Sequence, residues 1–147
     1  MENSPWYLAH LWVIGIQVIA FLPYLIASVR FYQNKGHFML WLTIGICLDI
    51  VMAVSASSGS LPRMNSTDQA PWHSLLFITH ISLAGIGLFG FFSLFLFLIA
   101  KGTKREYPRL RKFQFKFLLT CWIIGVGIAL VNFASKVIFD IRLYDLI

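Results

Sequence analysis

Charge is scarce in this sequence. Only 12% of its 147 residues are Asp, Glu, Lys or Arg, and just 6 of those are acidic. A soluble chain of this length keeps much of its surface in water and needs polar side chains to cover it. This one is 59% hydrophobic and lacks them. Cysteine is scarcer still. Cys47 and Cys121 are singletons on separate apolar runs, so neither a disulfide framework nor a thiolate cluster is indicated. Also missing are G-x-S-x-G, a P-loop, a glycine fingerprint after a strand, H-E-x-x-H, C-x-x-C-H and any paired-carboxylate arrangement. The absence of the first three and of paired carboxylates sets aside hydrolytic and phosphate-handling chemistry.

What the chain does have is apolar length. The stretch HSLLFITHISLAGIGLFGFFSLFLFLIA, residues 73–100, contains no proline and no ionisable group beyond His80 except His73 at its start. A bilayer's hydrocarbon core asks for ~20 such residues in a helix. Three further runs, 6–29, 37–57 and 113–136, meet the same requirement. The expected fold is an all-α, antiparallel four-helix transmembrane bundle, with residues 1–147 forming a single membrane domain. The first run has no basic lead and no small-residue cleavage site, so it reads as a retained span rather than a signal peptide. Trp6, Tyr7, Trp12 and Trp72 read as interface anchors, and Pro23 is expected to bend the first span. Asn65-Ser66-Thr67 matches a glycosylation sequon.

The net charge of +6 does not point to nucleic acid, because the excess sits in connectors between apolar runs. Arg30, Lys35, Lys101, Lys104, Arg105, Arg109, Arg111, Lys112 and Lys116 lie on one side, against Arg63, Lys136 and Arg142 on the other. The positive-inside rule then places both termini outward and the first and third connectors in the cytoplasm. The connector KGTKREYPRLRK, residues 101–112, is expected to grip anionic lipid headgroups or an acidic partner loop.

This orientation places several polar groups in the outer leaflet. His10 lies near the outer end of the first span with Gln17 deeper. Asp49 lies ~12 Å and His80 ~10 Å below the outer face at 1.5 Å per residue. Ionisable groups held in a membrane are functional candidates. Asp49 needs a partner inside the bundle, and His80 matches it in depth. The two are expected to face each other in a narrow cavity bounded by Ala56 and Gly87, suited to a metal ion or one inserted side chain. The plain alternative is a helix–helix hydrogen bond that only stabilises the bundle; a proton or ion path is a third. Neutral imidazole ligates both copper and haem iron. His80, Asp49 and His10 are therefore the candidate cofactor-binding residues, His80 and His10 the candidate metal ligands, and copper or haem the cofactors considered. Gly85, Gly87 and Gly90, with Gly125 and Ala129, read as close helix packing.

Three pieces of the chain carry a resemblance: NKGHFMLWLTIG with the later SASS, LLFITHISLAGIGLFG, and RKFQFKFLLTCWIIGVGIAL. Over residues 34–134 the chain resembles a family of small four-helix bacterial membrane proteins that includes the cytochrome c oxidase assembly factor CtaM. A histidine commonly opens the second span of that family, matching His37, and another lies within the third, matching His80. Histidines common at the outer end of the second span and before the fourth have no counterpart in SASSG and REYPRLRK. The resemblance implies a multi-pass protein of the bacterial plasma membrane that assists a haem–copper respiratory oxidase. Its expected role is non-catalytic: docking a cofactor or partner helix at the outer-leaflet pocket, with membrane lipid and a respiratory complex as partners. Two other readings stay open. One is a haem-carrying or quinol-interacting electron-transfer subunit using His10 and His80. The other is a purely structural subunit.

Overall fold

The structure, a computed structural model, describes residues 5–57, 74–102 and 107–145. Every long apolar run becomes a helix, because in hydrocarbon the backbone's polar groups have no partner except within the helix itself. Helix α1 spans Pro5–Tyr32, α2 Phe38–Ser57 and α3 Leu75–Lys101. The fourth rod is α4, Pro108–Phe113, a π-helical turn over Gln114–Leu118, and α5, Leu119–Phe139. Four rods are long and apolar enough to cross a membrane, and the protein is an all-α, multi-pass membrane protein. The shortest crossing helix, α2 with 20 residues, is ~30 Å long, the thickness of a hydrocarbon core.

Local sequence sets the helix ends. Ser74 caps α3, its hydroxyl accepting from the Phe77 N–H at 3.2 Å. Gly102 closes it at φ 86°, a conformation glycine tolerates, and its N–H reaches the Leu98 carbonyl. Pro108 opens α4 at the helix start, where its missing N–H costs nothing. The second half of the basic connector, from Pro108 to Lys112, is thus helical, and the fourth rod begins five residues before the apolar run suggested. The sequon at 65–67, His73 and the connector's 103–106 lie outside the described residues.

The rods form two antiparallel pairs, α1 with α2 and α3 with α5, joined along α1–α5 and α2–α3. The α3–α5 pair packs closely because it uses glycine. A Cβ at Gly87 lies 2.6 Å from the Cβ of Trp122, and one at Gly125 lies 2.6 Å from the Ala84 nitrogen. Of the third-span glycines, Gly85 faces open space instead. The α1–α2 pair closes on aromatic packing, with Phe31 and Phe38 rings 4.8 Å apart. At the π turn, buried Gln114 donates through Nε2 to the buried hydroxyl of Ser28, tying the fourth rod to α1. Beyond α5 the chain folds back. The Tyr144 N–H donates to Asn132 Oδ1 at 3.1 Å, and its ring packs edge-on against Phe77.

Candidate functional site

Asp49 sits at the centre of the bundle, 2% exposed. It projects from α2 and both of its donors come from other helices. Tyr24 of α1 donates its hydroxyl to Oδ2 at 3.0 Å, and Trp122 of α5 donates its indole N–H to the same oxygen at 2.7 Å. Oδ1 has no hydrogen-bond partner. The two donors form an aromatic wall. Tyr24 and Phe91 stack with ring centroids 4.4 Å apart, and Tyr24 and Trp122 lie at 4.9 Å. Gly45 leaves room for the Tyr24 ring, three of whose atoms lie 3.1 Å from where its Cβ would stand.

The expected pairing of Asp49 with His80 does not form. His80 Nδ1 instead meets the Gly125 carbonyl at 2.7 Å, and the ring stacks on Tyr144 at 6.2 Å. The reason is axial position. Gly125 lies three residues beyond Trp122 on α5, so the two polar contacts are offset by ~4.5 Å of helix. The cavity expected beside Gly87 does not form either, because Trp122 fills that space. His10 lies on α1, but its side chain is outside the described residues, as is that of Ala56. Among the described residues, no three His, Cys, Asp or Glu side chains gather to hold a metal ion. Asp49 and His80 as placed do not fit a copper or haem site: one is enclosed by two donors from the protein, the other bound to a backbone carbonyl.

Among the described residues, open space lies elsewhere. A groove of about 210 Å³ runs between α1 and α5, lined by Gln17, Val18, Phe21, Trp122, Val126 and Gly127 among others. It is apolar apart from Gln17. That side chain is 4% exposed, and its amide makes no hydrogen bond to any described residue. Gly127 forms part of the floor, and a Cβ there would meet nothing within 4 Å. Trp122 belongs to both features, walling the groove and donating to Asp49. Nothing in the sequence sets Tyr24 and Trp122 apart, because aromatics within a span look like ordinary lipid-facing residues. Gln17, a lone amide in an apolar run, was the visible signal. Compared with protein-family models, curated proteins and solved structures, the chain finds no match in any of the three.

Proposed function

We propose that the protein is an integral membrane accessory protein that docks a helix of a partner membrane protein in the groove between α1 and α5. The observation that carries this reading is Gln17, buried at the edge of an apolar groove with no described hydrogen-bond partner. In hydrocarbon no water is at hand to satisfy an amide, so a polar group arriving on another helix gains an interhelical hydrogen bond, worth ~1–2 kcal/mol in model peptides. The bare floor at Gly127 lets that helix approach closely. A space of about 210 Å³ holds a few side chains.

The sequence resemblance supplies the partner and setting: a haem–copper respiratory oxidase in the bacterial plasma membrane, whose assembly or upkeep the protein assists. The charge count supplies the orientation, with both termini outward. In this reading the groove at Gln17 takes over the docking role first given to the surroundings of His80 and Asp49.

The test is co-purification of a tagged full-length chain with the oxidase from its own membranes. Gln17→Leu is expected to keep the thermal stability of the parent protein and lose the oxidase. Undiminished oxidase on Gln17→Leu overturns groove docking. Normal oxidase content in cells lacking the chain overturns the accessory role. A Soret band in the purified protein replaces it with the electron-transfer reading.

A further inference from the structure

At the end of the bundle where α1 turns into α2, two arginines are fastened to one short turn. Arg30 donates its Nε to the Gly36 carbonyl at 2.8 Å, and Arg111 of α4 donates Nη2 to Asn34 Oδ1 at 2.6 Å. The Arg111 guanidinium also lies 5.7 Å from the centroid of the Phe31 ring. The simplest account is that they cap the negative end of α1. Backbone donors already do that work. The carbonyls of Val29, Arg30 and Phe31 accept from the N–H groups of Gln33, Lys35 and Asn34. Each guanidinium therefore spends one nitrogen on the turn itself and keeps a terminal nitrogen for another partner. The Nε of Arg111 is buried with no hydrogen-bond partner, and the terminal nitrogens of Arg30 bond to no described residue.

The surroundings narrow the ligand. Arg30, Lys35, Lys101, Arg109, Arg111, Lys112 and Lys116 belong to this end, and among the described residues no Asp or Glu joins them. Aromatic rings from the same helices lie alongside: Phe31 against Phe38, and Tyr32 against Phe115 at 5.0 Å. Phe113 and Phe117 stack 5.1 Å apart on an exposed face of the fourth rod. Planar cationic forks beside an apolar aromatic surface match a molecule with a phosphate at one end and hydrocarbon at the other.

We propose that Arg30 and Arg111, held by the turn containing Asn34 and Gly36, form a discrete site for the phosphodiester headgroup of an anionic phospholipid. The site is independent of the groove at Gln17. It differs from a diffuse basic strip in assigning the selectivity to two residues out of seven.

The test is thermal unfolding of the purified full-length protein in neutral detergent with added phosphatidylglycerol, phosphatidylcholine or inorganic phosphate. Phosphatidylglycerol is expected to raise the midpoint saturably and more than phosphatidylcholine. Arg30→Gln and Arg111→Gln should each weaken its apparent affinity about tenfold, the scale of one charge-assisted hydrogen bond. The paired variant Lys101→Gln with Lys112→Gln, which removes as much charge as the two arginine changes together, should leave that affinity within twofold. Equal weakening by the lysine pair overturns the site in favour of general charge. An equal shift with inorganic phosphate overturns the lipid as its ligand. If Arg111→Gln does not fold, Arg30→Gln alone decides: undiminished affinity there overturns the proposal.

Discussion

Glycine and carboxylate make the sharpest demands on single residues in this bundle. Gly87→Ala is expected to destabilise the protein by ~1–3 kcal/mol, since the added methyl meets Trp122 side-chain and backbone atoms within 3 Å. Gly85→Ala, with nothing within 4 Å of its Cβ, should be neutral or stabilising by up to ~1 kcal/mol. Unfolding of the two variants side by side in detergent checks the contrast. At Asp49 the group that matters is the acceptor oxygen. Asp49→Asn retains an oxygen for the Tyr24 hydroxyl and the Trp122 indole and should stay close to the parent. Asp49→Leu leaves both donors buried without an acceptor, at ~1–3 kcal/mol for each. Because Asp49 and His80 have different partners, their substitutions should combine within ~0.5 kcal/mol of additivity. A larger coupling in a double-mutant cycle would revive a direct link between them. Asp49 was legible in the sequence as a buried group in need of a partner. The identity of that partner was not, because depth can be counted along a helix while rotation about its axis cannot.

At the scale of elements, uniform hydrophobicity explains both what could be read and what could not. Runs apolar on every side announce a spanning helix, and all four rods appear where those runs lie. The same uniformity removes the stripe from which a packing face is normally inferred. The helical stretch from Pro108 to Lys112 was hidden for a different reason: proline and a charge cluster resemble a connector, yet proline belongs at a helix start. The π turn left no mark beyond a lone Gln114. Replacing Gln114 with Leu should cost ~1–3 kcal/mol by stranding the buried Ser28 hydroxyl. Gln114→Leu together with Ser28→Ala should recover part of that loss. The fold-back after α5 carries its own signature in alkali. Burial pushes the Tyr144 phenol up to about 12, against a smaller opposite pull from Arg142. With the folded value raised above the ordinary 10, the contribution of this contact is fully present below pH 10 and lost as pH rises through about 12. Phenolate absorbance of the parent minus that of Tyr144→Phe should therefore titrate late.

For the whole molecule, orientation is the property that charge alone should decide. Cysteines placed singly at residues 3 and 103 of a cysteine-free chain should react with impermeant reagents from opposite faces, the first from outside. Labelling of residue 3 from the cytoplasm would sink the outward assignment of the termini. Reversing charge at Arg109 and Arg111 should weaken insertion or invert part of the molecules if these residues hold the topology. The lipid site at Arg30 and Arg111 makes a separate claim on affinity, so the two effects are distinguishable in a correctly oriented fraction.

The placement of the two donors around Asp49 also bears on how the protein is made. Tyr24 is on the first helical hairpin with Asp49, but Trp122 arrives with the last rod. During synthesis the carboxyl must enter the bilayer with one donor, before α5 exists to enclose it. An Asp near the centre of a spanning helix is costly, ~2.5–3.5 kcal/mol on the insertion scale, so the first hairpin gains its full stability only when the second supplies Trp122. Assembly thus has a closing step: a chain stopped before Trp122 lacks one of the two donors that enclose the Asp49 carboxyl.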